Sequence, residues 1–395
     1  MSSQFNQIGP LLTMGLQTLP QRKGSSGVVV VGIAGVVAVL VSILAISTGL
    51  DHTMRGSGRD DVAILLSAGA DDESESLVSH ANYDTIASMP EVAAGADGKS
   101  LASPEIVTVF PVKFNKSADE GNVTLRGIAL QGLALHPSVR ITDGRVFRPG
   151  LTEMLVGSGV ASQFQGFAIG DHVRVGNSVW TVTGHFESDD IHDSEVLADV
   201  NTVQSATDMG SYYNALYVRL KSSDELQAFK DAIGSNPTLH LDVQSEARYF
   251  AAQSAGLSGG LTVVAYVIGV IMASGALFGA IHSLYISADV RKVEMATLRA
   301  LGFSTSSVML AFLIEALVLA FAGGCLGAAL GWLLFNGHTA STMSGGLSQV
   351  VFHLQVPLRL VVLGVIWACA IGLLGALIPA IRSSRQPVVE ALRGG

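Results

Sequence analysis

Few stretches of this sequence carry residue types that could do chemistry, and the first of them resembles a phosphate-binding loop. Residues 93–100 read AAGADGKS, close to the pattern G-x-x-x-x-G-K-[ST] but with Ala93 in place of the first glycine. That loop needs a buried strand before it and a helix after it, so that backbone amides surround the phosphates. Here Pro90 lies just before the segment and Pro104 just after it. We therefore expect no nucleotide site in this chain.

A second stretch could bind a cation. Residues 185–195, HFESDDIHDSE, combine two histidines with several carboxylates, and these are ligands for divalent cations. Their spacing fits no defined metal-binding loop. An exposed acidic turn is the favoured interpretation, because solvated runs of charge are common, and we assign no metal ligands.

No other set of residues predicts an active site. No Ser/His/Asp or Cys/His group has catalytic character, and Cys325 and Cys369 both lie inside apolar segments. A disulfide framework is excluded. There is also no basic stripe interleaved with aromatic residues, which argues against a nucleic-acid partner. The sequence therefore predicts a protein that is not an enzyme.

The composition indicates a membrane protein. Of the 395 residues, 49% are apolar and 14% are charged, and the mean hydropathy is +0.47. Soluble domains usually carry about 25% charged residues. The net charge of −9 is uneven, since residues 51–256 hold 28 Asp and Glu against 14 Lys and Arg. This acidic region is set apart from the uncharged segments that flank it.

The uncharged segments predict four transmembrane helices. Residues 27–50 carry no charge and are too long for the apolar region of a signal peptide. Residues 249–288 are uncharged over 40 positions, about 60 Å of helix, so part of this helix should form a stalk outside the membrane. The predicted spans are residues 27–50, 251–288 with the stalk, 306–335 and 357–381.

Between the first two spans, residues 51–250 predict a large mixed α+β domain. Short apolar runs such as residues 62–68 and 215–221 have the composition of strands, and residues 223–234 have a helical pattern. Basic residues prefer the cytoplasmic side, and they cluster before span one, after span two and after span four. This predicts cytoplasmic segments at residues 1–26, 289–305 and 382–395, an extracytoplasmic domain, and an extracytoplasmic loop at residues 336–356.

The predicted cytoplasmic connector has an amphipathic pattern. In KVEMATLRALGFSTSS, residues 292–307, the apolar side chains share one broad side of a helix and the charged side chains project elsewhere. Gly302 is placed to end this helix, and residues 304–306 can cap the next. The pattern fits a docking surface and an interfacial linker equally well.

Four stretches of the sequence resemble a known family. EMATLRALGFS, followed by FLIEALVLAFAGGCLGAALG, resembles the FtsX-like permease domain of MacB-type ABC transporters, and the C-terminal PVVEALRGG is similar to the end of that domain. Residues 144–188, from GRVFRPG to VTGHFES, are similar to the core of the MacB periplasmic domain. The resemblance covers essentially the whole chain.

The resemblance implies that the connector is a coupling helix on a separate ATPase subunit. ATP and Mg²⁺ would then bind to that partner and no cofactor to this chain, and ATP-driven motion would pass through span two to the outer domain, a mechanism called mechanotransmission. The residues that the resemblance assigns to the ATPase contact are Lys292, Glu294, Thr297, Arg299, Gly302, Glu390 and Arg393.

The resemblance also implies a location and further partners. These are the bacterial inner membrane, a second permease copy, identical or different, and a periplasmic adaptor protein. The function expected is export of a hydrophobic or peptide-like substrate. One alternative keeps this coupling mechanism and serves lipoprotein release, as in LolC/LolE-like subunits. Another, of a different class, is a regulator that transmits a conformational signal to a cell-wall hydrolase, as in FtsX.

Small and polar residues inside the spans predict helix contacts. Glycines at four-residue intervals let membrane helices approach closely, and they occur at Gly275 and Gly279 and at Gly323, Gly327 and Gly331. Glu315 is the only acidic residue within a span. A charge there is costly, so we expect it to hydrogen-bond to a neighbouring helix or to lie near the headgroups rather than to line a pore.

Overall fold

The structure is a computed structural model, and it describes residues 9, 13, 17, 23–95, 98–290, 292–343 and 349–384. These residues form two compact units. We call residues 23–48, 260–338 and 354–384 the helical unit, and Gly49–Gly259 with Thr339–His353 the α+β unit. The side chains of a few helical residues, Lys292 and Glu294 among them, are not described.

The α-helices described are, in chain order, α1 (Lys23–Gly56), α2 (His80–Ala87), α3 (Ser158–Gln163), α4 (Val200–Ala206), α5 (Leu226–Ser235), α6 (Glu246–Val290), α7 (Lys292–Ala300), α8 (Thr305–Phe335) and α9 (Leu358–Ser384). The strands are β1 (Val62–Ser67), β2 (Val78–Ser79), β3 (Ala102–Lys113), β4 (Glu120–Ile128), β5 (Arg140–Gly144), β6 (Glu153–Gly157), β7 (His172–Val175), β8 (Ser178–Glu187), β9 (Glu195–Asp199), β10 (Tyr212–Tyr213), β11 (Ala215–Arg219), β12 (Leu241–Ser245), β13 (Thr339–Met343) and β14 (Gln349–His353).

Four of these helices, α1, α6, α8 and α9, are long and apolar enough to cross a membrane. Many of their residues are Val and Ile, which favour strands in water. In hydrocarbon, however, every backbone N–H and C=O must be paired within the segment, and a helix achieves this. The large α+β unit lies in sequence between the first and second of these helices, which confirms the predicted fold class.

The core of the helical unit is built around α1. Val37 and Val41 of α1 are fully buried and cluster with Ala320 and Ala328 of α8 and with Ala368 of α9. More than half of the most apolar window of α1 is buried within the chain, against 11% for α6. Helix α1 is therefore the central helix of this unit and α6 the most exposed.

The α+β unit contains one ten-stranded sheet in the order β12-β1-β11-β3-β4-β9-β6-β8-β5, with β7 also paired to β8. Strand β3 joins its two halves. Residues Ala102–Glu105 pair with β11, and Ile106–Lys113 pair with β4. The pairs β4–β9 and β6–β8 are parallel, and the other pairs in this sheet are antiparallel.

Strand β1 explains how α6 joins this sheet. Ala63 and Leu65 point into the main core, whereas Val62, Ile64 and Leu66 point to the opposite face. This follows from the two-residue period of a strand. On the second face they cluster with Tyr249 and Phe250 of α6. The beginning of α6 is thus part of the sheet's hydrophobic packing.

The structure describes two segments that the sequence analysis singled out. The loop predicted over residues 336–356 contains the hairpin β13–β14, and its residues 339–353 belong to the α+β unit. The phosphate-loop lookalike is a turn in which Ala94 and Ser100 pair across a bridge, and it leads into strand β3 rather than a helix. Its central residues 96 and 97 lie outside the described residues.

Candidate functional site

The predicted coupling segment forms the short helix α7 and a tight turn into α8. The turn has the hydrogen bonds of a Schellman motif: Phe303 N–H donates to Leu298 O at 3.1 Å, and Gly302 N–H donates to Arg299 O at 3.1 Å. Gly302 has φ +97°, a conformation that favours glycine. Ser304 then caps α8 by accepting the Ser307 N–H. The direction of the chain is therefore fixed between α7 and α8.

The structure describes only some of the residues that were predicted to contact the ATPase. Thr297 is exposed on α7, where its hydroxyl donates to Val293 O at 2.8 Å, and Arg299 is half-buried in the last turn. Lys292 and Glu294 lie on the same helix, but their side chains are not described. Glu390 and Arg393 lie outside the described residues.

The three predicted glycines of α8 lie against α1. A methyl group on Gly323 would lie 2.8 Å from Val30 O, one on Gly331 would lie 3.0 Å from Val41, and one on Gly327 would overlap Ala34 O. Real Cβ atoms essentially never lie closer than 3.0 Å to a backbone atom, so Gly323 and Gly327 require glycine or a shift of α1. At Gly331 the Val41 side chain would have to move only slightly.

The other residues predicted to make helix contacts inside the membrane are Gly275, Gly279 and Glu315, and the two glycines differ from those of α8. No described atom outside their own helix lies within 4 Å of a methyl group placed on Gly275 or Gly279 of α6. Glu315 is buried on α8, next to Ala316, which packs with Ala376 and Ala380 of α9. The structure thus brings the α8 glycines together with α1 and leaves the α6 glycines facing outward.

The principal polar site of the α+β unit surrounds a single buried arginine. Arg126 of β4 forms hydrogen bonds of 2.8–3.0 Å to Glu73, Glu105 and Glu195, and all four side chains are buried. Tyr217 donates its hydroxyl to Glu73 at 2.9 Å. Burial alone would lower the pKa of Arg126, but the charges of Glu195 and Glu73 outweigh it and hold that pKa well above its usual value. Arg126 therefore stays charged.

A chain of buried groups leads from this arginine to α6. Glu105 contacts His136 Nε2 at 3.1 Å, and His136 Nδ1 lies 3.9 Å from Glu246 Oε1. Glu246 is the first residue of α6. Its Oε2 accepts the Arg59 N–H at 3.0 Å, and its Oε1 has no hydrogen-bond partner among the described residues. The start of α6 is thus tied to the sheet through buried polar side chains.

A second buried pair lies beside the first. The His136 and His192 rings are 4.6 Å apart, and His192 Nδ1 lies 2.9 Å from Asp190 Oδ1. Burial disfavours a charged imidazole, but the charge and hydrogen bond of Asp190 outweigh this effect and raise the pKa of His192 to about 9. His192 is consequently charged at neutral pH, and the pKa of Asp190 is lowered despite its burial.

Three further contacts fasten α1 and α6 within the α+β unit. Gly58, two residues after α1, lies so close to Ala247 that no side chain fits there. Ser254 donates its hydroxyl to Asp51 at 2.6 Å, and Ser57 accepts the Ile191 N–H at 3.0 Å. We call these three contacts, together with the buried polar side chains described above, the α6 junction. Those side chains are Arg126, Glu73, Glu105, Glu195, His136 and Glu246.

The hairpin β13–β14 is bound to the same unit. Val351 N–H donates to Ser194 Oγ at 2.7 Å, and the Ser194 hydroxyl lies 3.3 Å from Val351 O. Gly49 lies against the backbone of His353 in β14 with no room for a Cβ, and a methyl group on Gly159 would lie 3.1 Å from Val351 Cβ. Phe352 is fully buried. The connection between α8 and α9 is therefore part of the α+β fold.

Comparison with known proteins identifies the two halves of the chain. Residues 26–236 match the model of the MacB-like periplasmic core domain, and residues 266–388 match the FtsX-like permease C-terminal domain. The chain belongs to the MacB/FtsX-like family of ABC transporter permeases. The four apolar helices and this family make it a membrane protein.

Several individual proteins are similar to this permease. YknZ of Bacillus subtilis, named as an uncharacterized ABC transporter permease, is 23% identical over 97% of this chain and 98% of its own length. The similarly named MJ1507 of Methanocaldococcus jannaschii is 21% identical over 57% of this chain and 58% of its own. The crystal structure of the YknZ extracellular domain covers 47% of this chain and all of that domain, at 15% identity and a TM-score of 0.36.

The family match confirms the predicted resemblance, and ABC transporter permeases work with an ATPase subunit. One interpretation of the permease sequence was wrong. Residues 185–195 are not simply an exposed acidic turn, because Asp190, His192 and Glu195 are buried. Their charges are paired within the fold, Glu195 with Arg126 and Asp190 with His192. Among the described residues no group of three or more His, Cys, Asp or Glu could hold a metal ion.

Sequence reasoning missed most of the permease's α6 junction. Its charged members come from five separate elements or turns, and of these only Glu195 fell in a stretch that had been singled out. One signal was available. Arg126 interrupts the apolar run of a predicted strand, and a charge at a position that faces a core requires buried partners.

Proposed function

We propose that this chain is the transmembrane subunit of a MacB-type transporter. A separate ATPase subunit binds at α7, and its ATP-driven closure moves the α+β unit through α6. The observation that carries this proposal is that α6 is one unbroken helix of 45 residues, from Glu246 to Val290. At 1.5 Å per residue it is about 68 Å long, more than twice the roughly 30 Å of hydrocarbon.

Both ends of α6 support transmission of force. At its start, the α6 junction attaches Glu246 to the sheet, and Gln253 reaches Asp72 at 3.0 Å. At its end, a single residue separates α6 from α7. The Schellman turn at Gly302 then fixes the path of the chain into α8. A push on α7 is therefore not absorbed by a long flexible linker.

The arrangement of basic residues supports a cytoplasmic α7. Lys23 begins α1, Arg299 lies in the last turn of α7, and Arg382 lies near the end of α9. With four spans, these sites all fall on one side of the membrane, and basic residues prefer the cytoplasmic side. Both termini would then be cytoplasmic, in a bacterial inner membrane, with the α+β unit outside.

Two further partners belong to the proposal. The low burial of α6 and the open Gly275–Gly279 face fit packing against a second permease copy. A periplasmic adaptor would receive a hydrophobic or peptide-like substrate from the α+β unit. Neither partner alters the coupling mechanism.

The test is copurification followed by a coupling assay. The tagged chain, extracted in mild detergent, should bring down a stoichiometric ABC ATPase, together with an adaptor if the complex is an exporter. Arg299→Ala and Thr297→Arg should then lower the stimulation of that ATPase by the permease. Lys116→Ala, at an exposed position of the α+β unit, should leave it unchanged and serves as the matched control.

Absence of an ATPase, even with nucleotide trapped by vanadate, would overturn the proposal. Normal stimulation by both α7 variants would overturn the assignment of α7 as the contact. Copurification of the ATPase without an adaptor would leave the coupling intact and argue against adaptor-dependent export.

A further inference from the structure

A cleft of about 250 Å³ opens beside Arg126 in the α+β unit. One wall is the first part of α6, with Tyr249, Phe250 and Gln253. Another is β3, from Val107 to Val109. The turn before β2 closes a third side, and Arg126 and Glu195 lie at the polar end. The volume is slightly below the roughly 300–1,000 Å³ of typical small-molecule sites, so the cleft accommodates one compact group.

The charges of this cleft favour a cation. Its lining includes the carboxylates of Asp72, Glu73 and Glu195 against the single positive charge of Arg126. Glu73 and Glu195 both bond to Arg126. Asp72 differs from them. Its hydrogen bonds come from the N–H and hydroxyl of Ser74, at 2.8 and 2.6 Å, and from the Gln253 amide at 3.0 Å, all of them neutral donors. Within the described part of the chain, Asp72 has no ion pair.

An anion is disfavoured at the same place. An arginine has five N–H donors, and Arg126 makes five hydrogen bonds to its three glutamates. None of its donors is left over for a carboxylate or phosphate. An anionic ligand would also meet an excess of negative charge with no compensating group.

The rest of the lining is apolar. Met54, Val107, Val109, Ile191 and Phe250 contribute to the walls, and Val109 is notably exposed for a large apolar residue. A hydrated metal ion would gain nothing from such walls. A monocation attached to an apolar body, in contrast, would bury that body against them and keep its charge near Asp72, with aromatic rings nearby.

We propose that this cleft binds a lipophilic organic cation, with the charge beside Asp72 and the apolar body between β3 and α6. Such a ligand would touch α6 and the sheet at once and would hold them together. If the chain transmits force as proposed above, occupancy of the cleft would therefore modulate transmission through α6. This consequence rests on the proposed function, whereas the binding itself does not.

The test is direct binding to the full chain reconstituted in lipid nanodiscs. The probe is benzyltrimethylammonium, a phenyl ring that carries one permanent positive charge. Phenylmethanesulfonate, of similar shape and opposite charge, is the control ligand. Saturation-transfer NMR at constant ionic strength should show saturable binding of the cation and none of the anion.

Two variants locate the site. Asp72→Asn keeps the capping acceptor for the turn but removes the charge, and we expect it to weaken binding about tenfold, the effect of one modest ion pair. Thr108→Trp should fill the cleft and abolish binding. Asp84→Asn, an exposed carboxylate of α2 that does not line the cleft, should bind the cation as the unmodified chain does.

Equal binding of cation and anion, unchanged affinity in both Asp72→Asn and Thr108→Trp, or no saturable binding at millimolar probe would each overturn the proposal. These results do not depend on an ATPase. A failure here is therefore distinct from a failure to copurify an ATPase, which concerns the proposed function alone.

Discussion

The start of α6 in the α+β unit and the contact between α1 and α8 in the helical unit are both buried, but opposite kinds of residue hold them. The first uses Arg126, three glutamates and His136. The second uses Gly323, Gly327 and Gly331, which bring α8 onto the backbone of α1. Polar groups can be paired inside a sheet domain. In hydrocarbon a charge is costly, and close packing replaces it.

Because different residue types hold the two regions, substitutions should destabilise them in different ways. The α6 junction should be sensitive to the removal of a charge, because each remaining partner is left buried and unpaired. The α1–α8 contact should be sensitive to added volume, because there is no space into which a side chain can move. Substitutions that remove a charge and substitutions that add volume therefore distinguish the two regions.

The largest effect is expected for Arg126→Met. It leaves three buried glutamates without their cation, and breaking a buried pair in this way typically costs about 3–5 kcal/mol. The melting temperature of the α+β unit, measured on the full chain in detergent, should fall strongly. Arg140→Met removes an exposed arginine paired with exposed Asp189 and should leave the melting temperature unchanged. Equal behaviour of the two variants would contradict the role of the junction.

The next effect is expected for Gly327→Leu on α8. The side chain would overlap Ala34 of α1, and overpacking of this kind costs about 1–3 kcal/mol. Gly279→Leu is the matched control, since no described atom outside its helix lies near it. Thermal aggregation in detergent should occur earlier for Gly327→Leu only. If Gly279→Leu instead dissociates a dimer, the outward face of α6 is the contact with a second copy.

A third effect depends on pH. The pKa of His192 is raised from 6.5 to about 9, chiefly by Asp190 against the opposing effect of burial, with Glu195 adding to the rise and Arg126 reducing it. A raised pKa means that the folded state binds the proton more tightly. The stabilisation is complete below pH 6.5 and is lost as pH rises through about 9.

The unfolding free energy of the α+β unit should therefore fall by an amount of order 1 kcal/mol or more between pH 7 and pH 10. His192→Gln should be less stable at pH 7 and should lose less over that interval. Thermal melts at several pH values check this, and parallel curves for the two proteins would show that His192 does not titrate as described.

The smallest effect is expected for Ser194→Ala. It removes the side chain that bonds to Val351 N–H and leaves that group buried, at a cost of about 1 kcal/mol. Hydrogen exchange at β14 should become faster while exchange in β3 stays the same. Ser205→Ala, on the exposed side of α4, should have no such effect. Unchanged exchange at β14 would mean that other contacts hold the hairpin.

The membrane helices could be predicted because a single local property, an uncharged length, determines them. The turn at Gly302 was also readable, since glycine after an amphipathic helix indicates a C-terminal cap. The hairpin β13–β14 could not be predicted from the sequence. Its Gly and Ser residues suggested a loop, and its pairing depends on Ser194, which is more than 150 residues away in sequence. The α6 junction was missed for the same reason, because its members are distant in sequence and meet only in the folded sheet.

In the function proposed above, α6 carries movement from a partner ATPase to the α+β unit. The most direct test is hydrogen exchange of the purified permease–ATPase complex, with and without trapped nucleotide, compared with Gly260→Pro, which interrupts α6. We expect nucleotide-dependent exchange at β12 and the first turns of α6 in the unmodified complex, and its loss in the variant although the ATPase still binds. Nucleotide-dependent exchange that persists in Gly260→Pro, or is absent from the unmodified complex, would contradict it.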